Sequence, residues 1–256
     1  MTRTAGPAAA VAFVLSIATL LSQGQTPGDF AVPFHVGEVL TYDVAWSTYL
    51  TAGTATLTVK ERRAIGRGAF AYDLIGEGKP SAFLDKLYHL YYKAESLLDT
   101  KALQPSLFTV YSDERGRTKL RTMRFLSSTS IEYEPKASAP REKYTVPSLS
   151  QDPLSAIYVM RAISLKVGQV LTMPVVDGAD VYNAKWQIAG PETVATGVGP
   201  VSAWRLTPTL TDAKGKPITN RRVTLWMSND AKKWPVKFQA GLAVGSFTLT
   251  LARATG

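Results

Sequence analysis

From Val39 to Leu251 the chain alternates apolar and polar residues with a period of two, interrupted at short intervals by Gly, Pro, Asn and Asp. Such alternation places every second side chain on one face of a strand, so the pattern demands antiparallel sheet with one face buried. Tyr42, Val44 and Trp46 share a face of a first strand; Ala55, Leu57 and Val59 share one in a second, after a turn expected at Ala52-Gly53. A third strand is expected over 69–75, between glycines at 66 and 68 and a Gly76, Gly78, Pro80 ending. Further strands are expected at 88–98, 107–111, 118–126, 131–133, 192–196, 201–210, 222–227, 235–239 and 247–251. Asp177-Gly178 is a two-residue hairpin signal, and Tyr182, Ala184, Trp186 and Ile188 alternate after it.

About a dozen strands cannot stay flat; a sheet of that size curls, closes or splits into two layers. The fold class is therefore mainly β: a large curved antiparallel sheet, a partly closed barrel or a two-layer arrangement. One helix is expected within it, over about 153–164. Asp152 suits an N-cap, Pro153 the first helical position, and Leu154, Ile157 and Tyr158 form an apolar stripe. Phe83, Leu84 and Leu87 have helical spacing, which makes a second short helix an option at 81–88. The stretch 135–147 is the one candidate internal boundary in an otherwise single β-rich domain spanning 25–256.

The N-terminus carries Arg3, then an apolar run from Ala8 to Leu21, then Ser22 and Gly24 at spacing suited to signal cleavage. The run is shorter than a membrane-spanning helix requires. The expectation is a cleaved signal over 1–24, cut near Gly24, and a periplasmic mature protein. There is no cysteine in the 256 residues, which excludes disulfides, thiol catalysis and cysteine-ligated metal. Formal net charge is +9, of which the signal contributes only Arg3. A basic protein favours anionic partners, and export redirects that from nucleic acid to lipid, lipopolysaccharide or cell-wall polymer.

Four segments occur in order: Pro33-Phe34-His35-Val36-Gly37-Glu38 leading into Leu40–Trp46; Thr51-Ala52-Gly53-Thr54-Ala55; Asp152-Pro153-Leu154-Ser155-Ala156-Ile157-Tyr158 with Arg161; and Leu225-Trp226-Met227-Ser228-Asn229-Asp230 followed by Trp234-Pro235-Val236-Lys237. Together they resemble the bacterial envelope proteins grouped as domain-of-unknown-function family 3108, over about 33–251. That resemblance implies export and a β-rich fold, with no established activity. Asn229 stands where the pattern has a second acidic residue. The Trp226 segment also looks like the closing strands of periplasmic lipoprotein carriers, whose curved sheets wrap a helix around an acyl-chain cavity; this is a likeness of fold pattern.

Catalytic chemistry is thinly represented. His35 and His89 are the only histidines, and neither lies in a nucleophile-elbow or zinc-ligand spacing. Asp43, Asp73, Glu95, Asp99, Asp152 and Asp230 offer carboxylates for a glycosidic hydrolase, but Asp152 reads as a cap and Asp230 as a turn residue. No catalytic residue, metal ligand or cofactor is expected. The candidate ligand contacts are Arg117, Lys119 and Arg121, which recur every second residue with Arg115, together with Arg161, Trp226 and Trp234. Glu132 and Glu134 are expected to neutralise the basic run in part. Arg161 lies beside the apolar stripe of the helix, where it needs a carboxylate; Asp43 or Asp230 are the expected partners. Tyr88, Tyr91, Tyr92 and Trp204 complete a set of aromatics that suits either a groove or a core. The leading expectation is non-enzymatic binding of an amphiphilic or anionic envelope component. The rivals are an assembly protein acting through edge strands and a carboxylate-based polysaccharide hydrolase.

Overall fold

The structure is a computed structural model that describes residues 28–47, 50–66, 68–219, 222–242 and 245–256; side chains at 50, 51, 242 and 245 are also left undescribed. The expected signal segment lies outside the described residues. Fourteen strands and two helices follow in order: β1 (Val39–Trp46), β2 (Leu50–Gly66), β3 (Ala69–Pro80), α1 (Ala82–Leu87), β4 (Leu90–Asp99), β5 (Pro105–Glu114), β6 (Arg117–Ser127), β7 (Ser130–Glu134), β8 (Glu142–Thr145), α2 (Pro153–Ala162), β9 (Val170–Asp177), β10 (Asp180–Thr196), β11 (Gly199–Asp212), β12 (Arg222–Ser228), β13 (Pro235–Leu242) and β14 (Gly245–Thr255). All strands belong to one antiparallel sheet ordered β8-β7-β6-β5-β4-β3-β2-β1-β14-β13-β12-β11-β10-β9. Pairing of β1 with β14 puts the first and last strands side by side in the middle.

The sheet rolls up without closing its ladder. Its β9 edge tucks under the other limb. Val176 and Val181 join Met123, Ile131 and Tyr133 in one apolar cluster, and the Gly178 N–H points at the Met123 sulfur at 3.1 Å. Gly178 has φ +72°, and a Cβ there would stand 3.0 Å from the Tyr133 ring, so the overlap requires glycine. The free edge of β9 is covered by Gln151, whose N–H donates to Pro174 O at 2.9 Å and whose carbonyl accepts from Val176 N–H at 2.8 Å. The overlap and Gln151 cover the β9 margin and leave the short, polar β8 as the open edge.

Helix α2 fills one end of the roll. Leu154 and Tyr158 pack with Val59, Leu74, Ala94 and Phe108, while Ala156 and Met160 pack with Ile188, Leu206, Leu225 and Met227. Gly76 lies beneath the helix, where a Cβ would meet Leu57 and Leu154 at 3.5–3.6 Å, an ordinary contact.

Three local expectations change. Ala52-Gly53 is no turn but lies inside β2, where Ala52 is the extra residue of a bulge opposite Val44 and Ala45 of β1; Gly53 is needed because a Cβ would overlap the carbonyl of Lys79. The stretch 135–147 contains β8, paired with β7, and so continues the sheet. The expected strand at 192–196 is the far end of β10, because Gly190-Pro191 makes a bulge rather than a break. That end folds across β14, where Gly197 N–H donates to Leu251 O at 2.7 Å and a Cβ on Gly197 would lie 2.5 Å from the Ala252 carbonyl oxygen.

Candidate functional site

The packed end is organised by a cap and an ion pair. Asp152 Oδ1 accepts from the N–H groups of Leu154 and Ser155, both at 2.8 Å, and the Ser155 hydroxyl accepts from the Asp152 N–H at 3.0 Å. This reciprocal capping box is worth about 1 kcal/mol. Ser96 on β4 donates to Asp152 Oδ2 at 2.6 Å, which ties the helix start to the sheet. Complete burial pushes the Asp152 carboxyl up to about 6, against the lowering effect of Ser96 and the helix N–H groups.

At the other end of α2, Arg161 is fully buried and grips Glu38 in a bidentate pair, Nη1 to Oε1 at 2.6 Å and Nη2 to Oε2 at 2.8 Å. Nη2 also donates to Lys232 O at 3.1 Å, and Trp234 Nε1 donates to Glu38 Oε2 at 3.2 Å. The partner is therefore Glu38, not Asp43 or Asp230. Glu38 follows Gly37, whose φ of +91° turns the chain inward just before β1. Asp43 is exposed, and Asp230 is occupied by Ser228 and the N–H groups of Lys232 and Lys233. Arg161 and Trp234 thus meet in one buried network that fixes the helix.

The opposite end of the roll differs. In antiparallel ladders, directly paired residues share a face, so register extends the inner face beyond α2. It runs through Lys119, Ser112, Tyr92 and Gly78 on β6 to β3, and the same row passes by Ala55 of β2 to the buried Tyr42 and Leu251 of β1 and β14. Further out come Val44 with Leu249 and Trp46 with Phe247, the latter rings stacked at 5.7 Å. Phe238 faces Leu249 from β13. Among the described residues no helix covers this part. Tyr92 and Trp46 are each 41 % exposed and Leu90 40 %, although all lie on the side whose other half is core. On β10, Trp186 shares the inner face, and its buried indole N–H has no partner among the described residues.

Of the basic run, Arg117, Lys119 and Arg121 lie on the face of β6 that carries Met123, and so reach the rim of this uncovered half. Arg121 is held by Asp177 at 2.8 Å and by the Tyr92 hydroxyl. Arg117 and Lys119 are exposed. Glu132 and Glu134 do not neutralise them: register sets Glu132 against Arg124, and Arg141 bridges both glutamates at 3.3 Å. Arg115 turns away at φ +53° and stacks on Tyr88 at 4.4 Å.

Trp226 faces outward from the helix side of the sheet. Its indole donates to Glu192 at 2.5 Å under Lys237, and it packs with Val194, Ala203 and Val236. Trp204 packs in the helix-end core, and Tyr91 is on the outer face, bonded to Glu77 at 2.6 Å. Of the six candidate carboxylates, Asp73 and Glu95 converge on the outer face around Arg63, which contacts Asp73, lies 3.6 Å from Glu95 and also pairs with Glu61 at 3.2 Å. Asp99 caps the following turn through the N–H groups of Lys101 and Ala102. His89 pairs with Asp85 at 2.8 Å beside an outer groove of about 590 Å³ that includes Tyr91, Tyr111 and Asp113. Among the described residues no cluster of three metal-ligating side chains occurs, and no helix is long and apolar enough to cross a membrane.

Arg117, Lys119 and Arg121 are among the contacts expected from the sequence and Tyr92 among the aromatics suited to a groove, but Val44, Trp46, Phe247 and Leu249 of the uncovered inner half are not. The signal for that half was the alternation itself, continuing in these four residues past the reach of a ten-residue helix.

The fold is similar to a β-barrel-like protein of the domain of unknown function DUF1849 from Brucella abortus, with a TM-score of 0.53 at 11% identity over 86% of this chain and 97% of that one. This likeness shows the fold alone. A protein with a YmcC-like fold from Bacteroides fragilis matches at 11% identity over 90% of this chain and 100% of that one, with a TM-score of 0.32. No protein of the curated set matches the chain. The model of the family described as "Protein of unknown function (DUF3108)" matches residues 41–252, from β1 through α2 to β14, and the chain belongs to that family.

Proposed function

We propose that this is an exported, non-catalytic protein that binds an amphiphilic molecule, with its apolar part in the uncovered half of the roll and its anionic group on the basic rim. The observation that carries this reading is the inner face itself: Tyr92, Trp46 and Leu90 belong to the core-facing side yet stand open. Large apolar side chains on a concave surface without a covering element favour an apolar occupant. Arg117 and Lys119 offer cations at the rim. The leader-like segment at 1–24 supports export.

Strand addition is the weaker alternative. β8 is four residues long and carries Glu142 and Lys143, and the β9 edge is covered by Gln151; short, charged or covered edges resist pairing. A hydrolase using Asp43, Asp152 and Asp230 is disfavoured because Asp43 is exposed on β1, Asp152 caps a buried helix and Asp230 closes the β12–β13 turn.

The test is detergent-free purification, organic extraction and mass spectrometry. An acyl-bearing amphiphile in stoichiometric amount is expected, or, from an emptied protein, saturable binding of a fluorescent fatty acid. A protein that yields none and binds none refutes the reading.

A further inference from the structure

The register gathers one end of β1 through β6 into a single rim. Trp46 of β1 pairs with Leu50, Gly53 of β2 with Pro80, Leu90 of β4 with Glu114 and Glu114 of β5 with Arg117. Helix α1, which joins Pro80 to Leu90, therefore sits on the rim of the uncovered half. None of its side chains is buried. Phe83 is 71 % exposed and Leu87, one turn on, 63 %. A six-residue helix gains little stability on its own, so its apolar residues are not explained by packing within the chain. The cluster extends beyond the helix: of the thirteen exposed large apolar side chains among the described residues, seven, Trp46, Phe83, Leu87, Tyr88, Leu90, Tyr92 and Leu120, lie at this end. A single exposed leucine needs no explanation, but a clustered set marks an interaction surface.

Charge specifies the partner. Residues 79–90 and 112–121 carry six cations, Lys79, Lys86, Arg115, Arg117, Lys119 and Arg121, against three carboxylates. The rim is also firm. Arg115 N–H donates to His89 O at 3.1 Å and its guanidinium lies 4.4 Å from the Tyr88 ring centroid, which fastens the β5–β6 turn to the segment after α1. Exposed Phe and Leu next to lysine and arginine are the composition that enters the headgroup region of an anionic bilayer.

We propose that this rim docks on an anionic lipid bilayer, with Phe83 and Leu87 inserted and the surrounding cations on the headgroups. Docking would set the mouth of the apolar half against the lipid. The proposal stands on the rim side chains and does not need the cavity to hold a ligand.

Vesicle flotation of the full chain tests it. Binding is expected to vesicles of equal phosphatidylcholine and phosphatidylglycerol, weak binding to phosphatidylcholine alone, and loss at high salt. The double variant Phe83→Ser, Leu87→Ser should lower partitioning tenfold or more, as roughly expected for two apolar side chains removed from the interface. Lys86→Glu should lower it by about fivefold or more. Because Phe83 and Leu87 are exposed, the double variant should keep the parent's melting curve and its binding of a monomeric fluorescent fatty acid. No flotation with anionic vesicles, or flotation unchanged by the double variant, overturns the docking. So does self-association of the parent chain that the double variant abolishes, because a second copy then covers the patch. Loss of fatty-acid binding with flotation intact counts against the cavity reading and leaves the docking in place.

Discussion

The two ends of the rolled sheet are made from the same strands and differ in what lies inside them. At one end Tyr42, Leu74, Phe108 and Leu206 are buried, with Tyr158 and Met160 of α2 among the buried core. Further along those same ladders Trp46, Tyr92 and Leu90 hold equivalent inner positions with no helix over them. The packed end also concentrates costly polar burial, in Asp152 and in the Glu38–Arg161 pair, whereas Arg117 and Lys119 of the open end keep their solvent. A packed half and an uncovered half are therefore separated along one barrel-like axis.

Breaking the packed end should cost the most stability. Arg161→Ala leaves Glu38 buried without its cation, and a loss of about 3–5 kcal/mol is expected in urea denaturation. The double variant Glu38→Gln, Arg161→Met should recover most of that loss; if it does not, the ion pair is not what holds α2.

Asp152 gives a pH signature to the same end. Its carboxyl is raised by burial from 3.8 to about 6, so between those values the folded chain holds a proton that the unfolded chain has released. The associated stability is present below the unfolded value and is lost as pH rises through the folded one. The fall should be of order 2–3 kcal/mol and should flatten in Asp152→Asn, which keeps a capping oxygen. Equal slopes in the two proteins would contradict this account of the cap.

The overlap of the sheet margins is intermediate. Gly178→Ala adds a Cβ at positive φ against the Tyr133 ring, and a loss of about 1–2 kcal/mol is expected. Tyr92→Ser, at the open end, should change stability by less than about 1 kcal/mol while weakening fatty-acid binding. A large loss of stability there would mean that the open half is core after all, and the contrast between the ends would fail.

Much of this architecture was legible in the residues. Alternation located most strands, and Asp152-Pro153 located α2 within two residues of its observed end. What alternation cannot say is where along a strand the covering element stops. Tyr42 and Trp46 carry the same signal, and only tertiary placement makes one core and the other rim. The partner of Arg161 was missed because Glu38 lies outside the first alternating run, 123 residues away in sequence. Trp226 was read as a groove residue, yet it packs outward under the far end of β10. The bulge at Gly190-Pro191 that brings that end across looks like a strand break in sequence. β8 was missed because Glu142-Lys143-Tyr144-Thr145 is too short and polar to alternate visibly.

The central claim is that the uncovered half of the roll accepts an apolar chain. Photo-crosslinking with a diazirine-bearing fatty acid, followed by peptide mapping, tests it most directly. The account predicts saturable labelling of inner-face peptides at the open end, those containing Tyr92, Trp46, Phe247 and Leu249, with competition by unlabelled fatty acid. Labelling that does not saturate, or that falls on the outer face or on the helix end, would contradict it.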